Sequence, residues 1–206
     1  MGTNLFAAFL VASATLILIP GPNVGLIVSN SLRFGTFAGI ATVLGTNLGI
    51  LIQLSVVCLG MSSVLAVFSE GFEIVRWLGV AYLVYLGLGR FQSREVDLVR
   101  KSAAQPSRKR FVYQGLFIAL ANPKTLLFFA AFLPQFIDPD SSKMGQLSLL
   151  SSVFAGMALV LDSGYALLAG RLQKAIADPQ SSRWFNRLSG SILIGSGLGL
   201  ALARVK

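Results

Sequence analysis

Three polar features interrupt stretches of this chain that are otherwise apolar: Pro20-Gly21-Pro22-Asn23, Asn122-Pro123-Lys124-Thr125, and Asp162. Proline has no N–H to give and breaks a helix interior, but at the first helical position, after a good capping residue, it starts a new helix. Asn122-Pro123 has that form, since Asn is a strong N-cap, and Gly21-Pro22 approaches it. Each break is therefore expected to present the positive end of a half-helix with unpaired N–H groups, a place that attracts a carboxylate. Lys124 and Asp162 are the charges that fall deep inside apolar stretches, at a cost of about 2.5 to 3.5 kcal/mol each on insertion scales, so neither is expected to face lipid. Asp162 is a candidate acceptor for a proton or an ammonium group. Lys124 is a candidate partner for a carboxylate, or for Asp162 itself when the site is empty. The plainer alternative is an ion pair that only ties two spans together.

The elements that must hold these residues are membrane helices. The chain has 206 residues, is 54% hydrophobic and 12% charged, and has a mean hydropathy of +0.74, outside the balance of a soluble domain. No charge occurs from Met1 to Leu32 or from Phe34 to Ser69, whereas about 20 apolar residues span the hydrocarbon as helix. Strict two-residue alternation is missing, which disfavours a barrel. The residues before the first apolar run carry no basic region, and no small-residue cleavage pattern follows it, so that run is expected to be a retained span.

Charge clusters and turn residues divide the chain into six candidate spans: Leu5 to Ser29, Phe37 to Ser62, Phe72 to Phe91, Phe111 to Phe136, Met144 to Gly170 and Trp184 to Ala203. Glu73 and Arg76 shorten the uncharged part of the third and are placed at an interface. The expected fold is all-α and polytopic: six transmembrane helices in two three-helix repeats, residues 1–93 and 111–206, joined by a basic cytoplasmic linker, 94–110. Three spans per half make such a repeat inverted, with helices 1 and 4 broken. Twelve Lys and Arg fall in the connections after spans one, three and five and four on the other side. The positive-inside rule then places both termini outside the cytoplasm. At 1.5 Å per residue, Gly21 stands about 18 Å from Arg33, Lys124 about 21 Å from Arg110 and Asp162 about 13 Å from Arg171, all near the middle of the bilayer.

The candidate binding set is Pro20, Gly21, Pro22, Asn23, Asn47, Asn122, Pro123, Lys124, Thr125 and Asp162, with Asp162 also the candidate for proton coupling. Most other buried amides, Asn30, Gln53 and Gln114 among them, are expected to bond between helices. The glycine pairs Gly21/Gly25, Gly35/Gly39, Gly45/Gly49 and Gly195/Gly199 read as close helix contacts, with a homo-oligomer as the further possibility. A single cysteine, Cys58, and no histidine exclude internal disulfides and Cys/His metal clusters. No cofactor is called for. The net charge of +9 lies in the connections and reads as a topology signal rather than a nucleic-acid patch. No nucleophile or acid/base constellation of an enzyme is present.

Four segments in order resemble the LysE/RhtB family of amino-acid exporters: Pro20-Gly21-Pro22-Asn23 with Gly35, Gly39, Gly45 and Gly49; Gly79 with Tyr82-Leu83, Leu86-Gly87 and Arg90; Ala121 to Lys124 leading to Phe132 through Phe136; and Asp162 with Tyr165, Ala166 and Gly170-Arg171-Leu172. The first is more similar to the RhtB branch. The resemblance implies a multi-pass inner-membrane protein that exports amino acids or close derivatives, such as homoserine, threonine, leucine or a homoserine lactone, by proton antiport. Alternating access between the two halves is the mechanism expected with it. An exporter or channel for metal or other small ions is the alternative, and the lack of His and scarcity of Cys disfavour a soft-metal site.

Overall fold

The computed structural model describes residues 3–60, 74, 77–89, 106–131, 133–138, 142–175, 187, 188, 190–196 and 198. Among them there is no strand. The helices are α1 (Thr3–Leu18), α2 (Pro22–Phe34), α3 (Thr36–Gly60), α4 (Trp77–Gly89), α5 (Arg108–Leu120), α6 (Pro123–Ala131) and α7 (Lys143–Ala175), followed by a helical segment at 190–196. A 3-10 turn, Leu133–Phe136, separates α6 from α7. Expectations for Glu73, Arg76, residues 94–105 of the linker and the start of the sixth span at Trp184 lie outside the described residues.

Two of these helices, α3 and α7, are long and apolar enough to cross a bilayer, and α1 with α2 make a third such unit, bent by 52° at the break. The bend follows from local chemistry. Ile19 precedes a proline and is pushed out of the α region, and neither Pro20 nor Pro22 can donate to a preceding turn. The chain restarts with Gly21 extended (φ −147°) as N-cap and Pro22 at the first helical position. The second break is tighter. Ala121 and Asn122 still donate backwards, to Phe117 and Ala119, before Pro123 starts α6.

Several boundaries differ from the sequence expectation for one reason: a helix does not stop where the hydrocarbon does. α2 continues through Arg33 to Phe34, and α7 through Arg171 to Ala175, because Arg side chains reach water while their backbone stays helical. The expected fourth span breaks at Asn122-Pro123 as the sequence indicates, and its last part, Leu133–Phe136, is a 3-10 turn rather than α-helix. Gly35 alone connects α2 to α3, with φ of 88° and its N–H on the Ser31 carbonyl. Only glycine takes that conformation without strain.

α2 sits at the centre. Ten of its thirteen residues are buried, with Leu26 against Val80, Leu83, Ile118 and Leu193 on one side and Ile27 against Val43 and Ala166 on another. The largest apolar cluster runs from Phe9 and Ile17 through Ile50, Leu54, Phe128, Phe129 and Leu133 to Leu150 and Phe154. Its rings meet edge-on, Phe129 to Phe154 at 4.8 Å and Phe9 to Phe136 at 5.4 Å between centroids, the geometry that aromatic quadrupoles favour. α3 and α5 are held closer still. A Cβ at Gly45 would overlap the Val112 carbonyl oxygen, one at Gly115 the Thr42 carbonyl oxygen, and one at Gly49 would meet Ala119 Cβ at 2.6 Å.

Candidate functional site

Breaking a helix inside a membrane frees backbone carbonyls that have no water to turn to, and each must find a donor. At the first break the donors come from the second half of the chain. Tyr165 Oη on α7 donates to the Leu18 carbonyl at 2.8 Å, and Lys124 Nζ on α6 donates to the Ile19 carbonyl. The second break is served by Gln53 of α3, whose Nε2 donates to the carbonyls of Ala119 (3.0 Å), Leu120 (3.3 Å) and Asn122 (3.5 Å). Gln53 Oε1 in turn accepts from Thr125 Oγ1 at 2.7 Å. Gln53→Leu would leave the Leu120 carbonyl without this donor and force the Thr125 hydroxyl back onto the Asn122 carbonyl, 3.2 Å away, while Ala119 keeps the Asn122 N–H, so we expect a stability loss of about 1 to 2 kcal/mol, read as a lower unfolding temperature in detergent micelles.

The two half-helix starts are not equivalent. Asn122 Oδ1 accepts the Lys124 N–H at 3.1 Å, so α6 carries its own cap. α2 has no side-chain cap. Its first N–H groups, at the positive end of the helix dipole, point into the break without a built-in anion.

Between these ends lies a small cavity with an open mouth. Gly21, Asn23, Asn122, Lys124, Thr125 and Asp162 line it, together with Leu16, Ile17, Val24, Ile50, Phe154 and Ala158. Six of the ten candidate residues are thus brought to one space. Pro20 and Pro22 are not on its wall; Pro22 starts α2 and Pro123 starts α6. Asn47 is elsewhere engaged, donating to the Ala155 carbonyl at 2.8 Å, where it ties α3 to α7.

Asp162 and Asn23 are the polar groups whose state calls for explanation. Asp162 is 4% exposed and Asn23 7%, and Asp162 Oδ1 and Asn23 Oδ1 have no hydrogen-bond partner. A buried acceptor left unpaired costs about 1 to 3 kcal/mol, more if charged, so both are poised for a donor. Lys124 is not that donor for Asp162 Oδ1; its ammonium is on the Ile19 carbonyl. The site therefore carries one positive and one negative side chain on separate helices, an uncapped helix start, the neutral polar groups of Asn23, Asn122 and Thr125, and six apolar wall residues. Among the described residues no three His, Cys, Asp or Glu side chains cluster as metal ligands do.

Phe154 and Ala158 line the cavity without belonging to the binding set expected from the sequence. A signal existed: 154, 158 and 162 stand four apart, so they share one face of α7, and fixing Asp162 in a cavity carries the other two with it. Tyr165, three residues beyond Asp162, is reached by the same spacing.

A family model described as LysE type translocator matches residues 14–204. The chain is 31% identical over 197 residues to a homoserine/homoserine lactone efflux protein of Salmonella typhimurium, covering 96% of each chain. It is 28% identical over 204 residues to a membrane protein of Vibrio cholerae, covering 99% of this chain and all of that one. It is also 28% identical over 205 residues to the membrane protein YrhP of Bacillus subtilis, covering 95% of this chain and 98% of the relative. No solved structure matches it.

Proposed function

The chain belongs to the family of LysE type translocators, and from that premise we propose that it is a secondary transporter that exports amino acids or close derivatives from the cytoplasm. The observation that carries this reading is the convergence of Lys124, Asp162 and the uncapped start of α2 on one cavity at a helix break. A zwitterion has the matching charges: its carboxylate suits the N–H groups of Asn23 and Val24, and its ammonium suits Asp162. The remaining walls, Leu16, Ile17, Val24, Ile50, Phe154 and Ala158, are apolar. They favour a short uncharged side chain, because a second cation there would be desolvated without a partner. Homoserine meets that description, and the efflux relative in Salmonella typhimurium is named for it.

Coupling to protons follows from the same carboxylate. A proton and a substrate ammonium compete for Asp162, so that binding of one from one side of the membrane expels the other, and the cavity opens to each side in turn. In this reading both termini lie outside the cytoplasm and the two halves form an inverted repeat.

The test is export from proteoliposomes loaded with radiolabelled L-homoserine. Efflux that saturates, accelerates when protons are drawn inward by an imposed gradient, and is accompanied by proton entry is expected. Non-saturating flux, or ion flux indifferent to homoserine, would replace this reading with a channel or ion exporter.

A further inference from the structure

The end of α1 is a cation site already in use. Its last carbonyls, at the negative pole of the helix dipole, are met by the Tyr165 hydroxyl at Leu18 and by the Lys124 ammonium at Ile19. The lysine stem crosses the break to get there: a Cβ on Gly21 would stand 3.4 Å from Lys124 Cδ and 3.8 Å from Nζ, so Lys124 lies over the gap between α1 and α2. Asp162, one turn before Tyr165 on α7, lines the same cavity with Oδ1 unpartnered. A primary ammonium has three N–H donors. The Ile19 carbonyl and the Asp162 carboxylate are two acceptors of the kind it seeks, and Lys124 itself ends in a primary ammonium.

We propose that the Ile19 carbonyl, reached by Lys124 from the cavity wall, and Asp162 on that wall together form an ammonium subsite at the cavity, and that Lys124 is its resident occupant, a tethered cation that a substrate's ammonium displaces. The assignment rests on the transport reading above for the identity of the natural substrate, but the subsite itself is defined by ammonium chemistry alone. It gives the lysine a reason to stand at mid-membrane depth. In the empty protein Lys124 satisfies a carbonyl that the helix break has orphaned, and it keeps positive charge near Asp162. When a substrate arrives, its ammonium takes over both duties and Lys124 is released.

A resident occupant weakens every competitor. If Lys124 holds the subsite nine-tenths of the time, the apparent Kd of an ammonium ligand is raised about tenfold. The experiment uses the full-length protein in detergent and two probes: L-homoserine, and propylamine, which has the ammonium but no carboxylate. Lys124→Met is expected to bind propylamine about tenfold more tightly than the wild type, with the gain abolished in Lys124→Met/Asp162→Asn. Lys124→Gln, which keeps a donor for the Ile19 carbonyl without the charge, serves if the methionine variant does not fold, and is expected to gain in the same direction.

Equal propylamine affinity in wild type and both variants would make Lys124 a mere brace of the break and overturn the proposal. A loss of homoserine affinity in Lys124→Met with propylamine unchanged would overturn it too, by making Lys124 a carboxylate ligand. The transport reading fails separately: a wild type that neither binds nor exports homoserine refutes that reading, while the propylamine comparison still decides the subsite.

Discussion

Asp162→Asn in proteoliposomes will cut the component of homoserine export driven by a pH gradient at least about tenfold, the equivalent of 1.4 kcal/mol, while the protein stays folded. The substitution keeps the size of the side chain but removes both the ability to bind and release a proton and the negative charge that attracts an ammonium, so the gradient dependence is read at saturating homoserine, where a weaker affinity does not enter. Folding is not expected to suffer. Asp162 is 4% exposed with Oδ1 unpartnered, a neutral side chain there relieves the desolvation of a buried carboxylate, and Lys124 keeps the Ile19 carbonyl as its partner. Asp162→Glu, one methylene longer and still ionisable, should restore part of the gradient dependence. Export by Asp162→Asn that responds to the gradient as the wild type does would mean that the proton is carried elsewhere, and the coupling assigned to this residue would be wrong.

The second large effect concerns the fold. Gly45→Ala should lower stability by about 2 to 3 kcal/mol, the range of overpacking a tight interface. The new Cβ would overlap the Val112 carbonyl oxygen and stand 2.9 Å from Val112 Cα, which is backbone and cannot rotate away. Gly156→Ala on α7 is the control, since a Cβ there meets nothing among the described residues within 4 Å, and alanine is the better helix former by about 1 kcal/mol. Thermal unfolding in detergent should therefore fall by several degrees for the first and hold or rise for the second. Equal shifts would show that α3 and α5 are not in backbone contact. In the alternating-access reading proposed above, α3 and α5 fall in different halves of the chain, so this contact would resist a rocking of those halves as rigid bodies. The ties at the breaks, Lys124 to Ile19 and Tyr165 to Leu18, are single side-chain bonds and separate more readily.

Much of this protein was legible in order along the chain. The Pro20-Gly21-Pro22 and Asn122-Pro123 breaks follow from the covalent chemistry of proline, which acts on its own neighbours whatever the tertiary context. The apolar length of α3 and the middle of α7 follow from composition. The type and position of the charges pointed to one cavity because an ionised group in hydrocarbon has few places to go.

What the sequence left open is which side chain answers which. Asn122 as the cap of its own helix could be read from the sequence, but nothing in the spacing says that α2 stays uncapped, that Gln53 rather than Asn47 serves the second break, or that Lys124 bonds a carbonyl 105 residues earlier and leaves Asp162 Oδ1 alone. Those outcomes depend on how each helix is rotated about its axis. Rotation is decided by packing across helices, such as the glycine seam between α3 and α5 and the ring contacts around Phe154, and apolar faces that all suit lipid equally well carry no code for it.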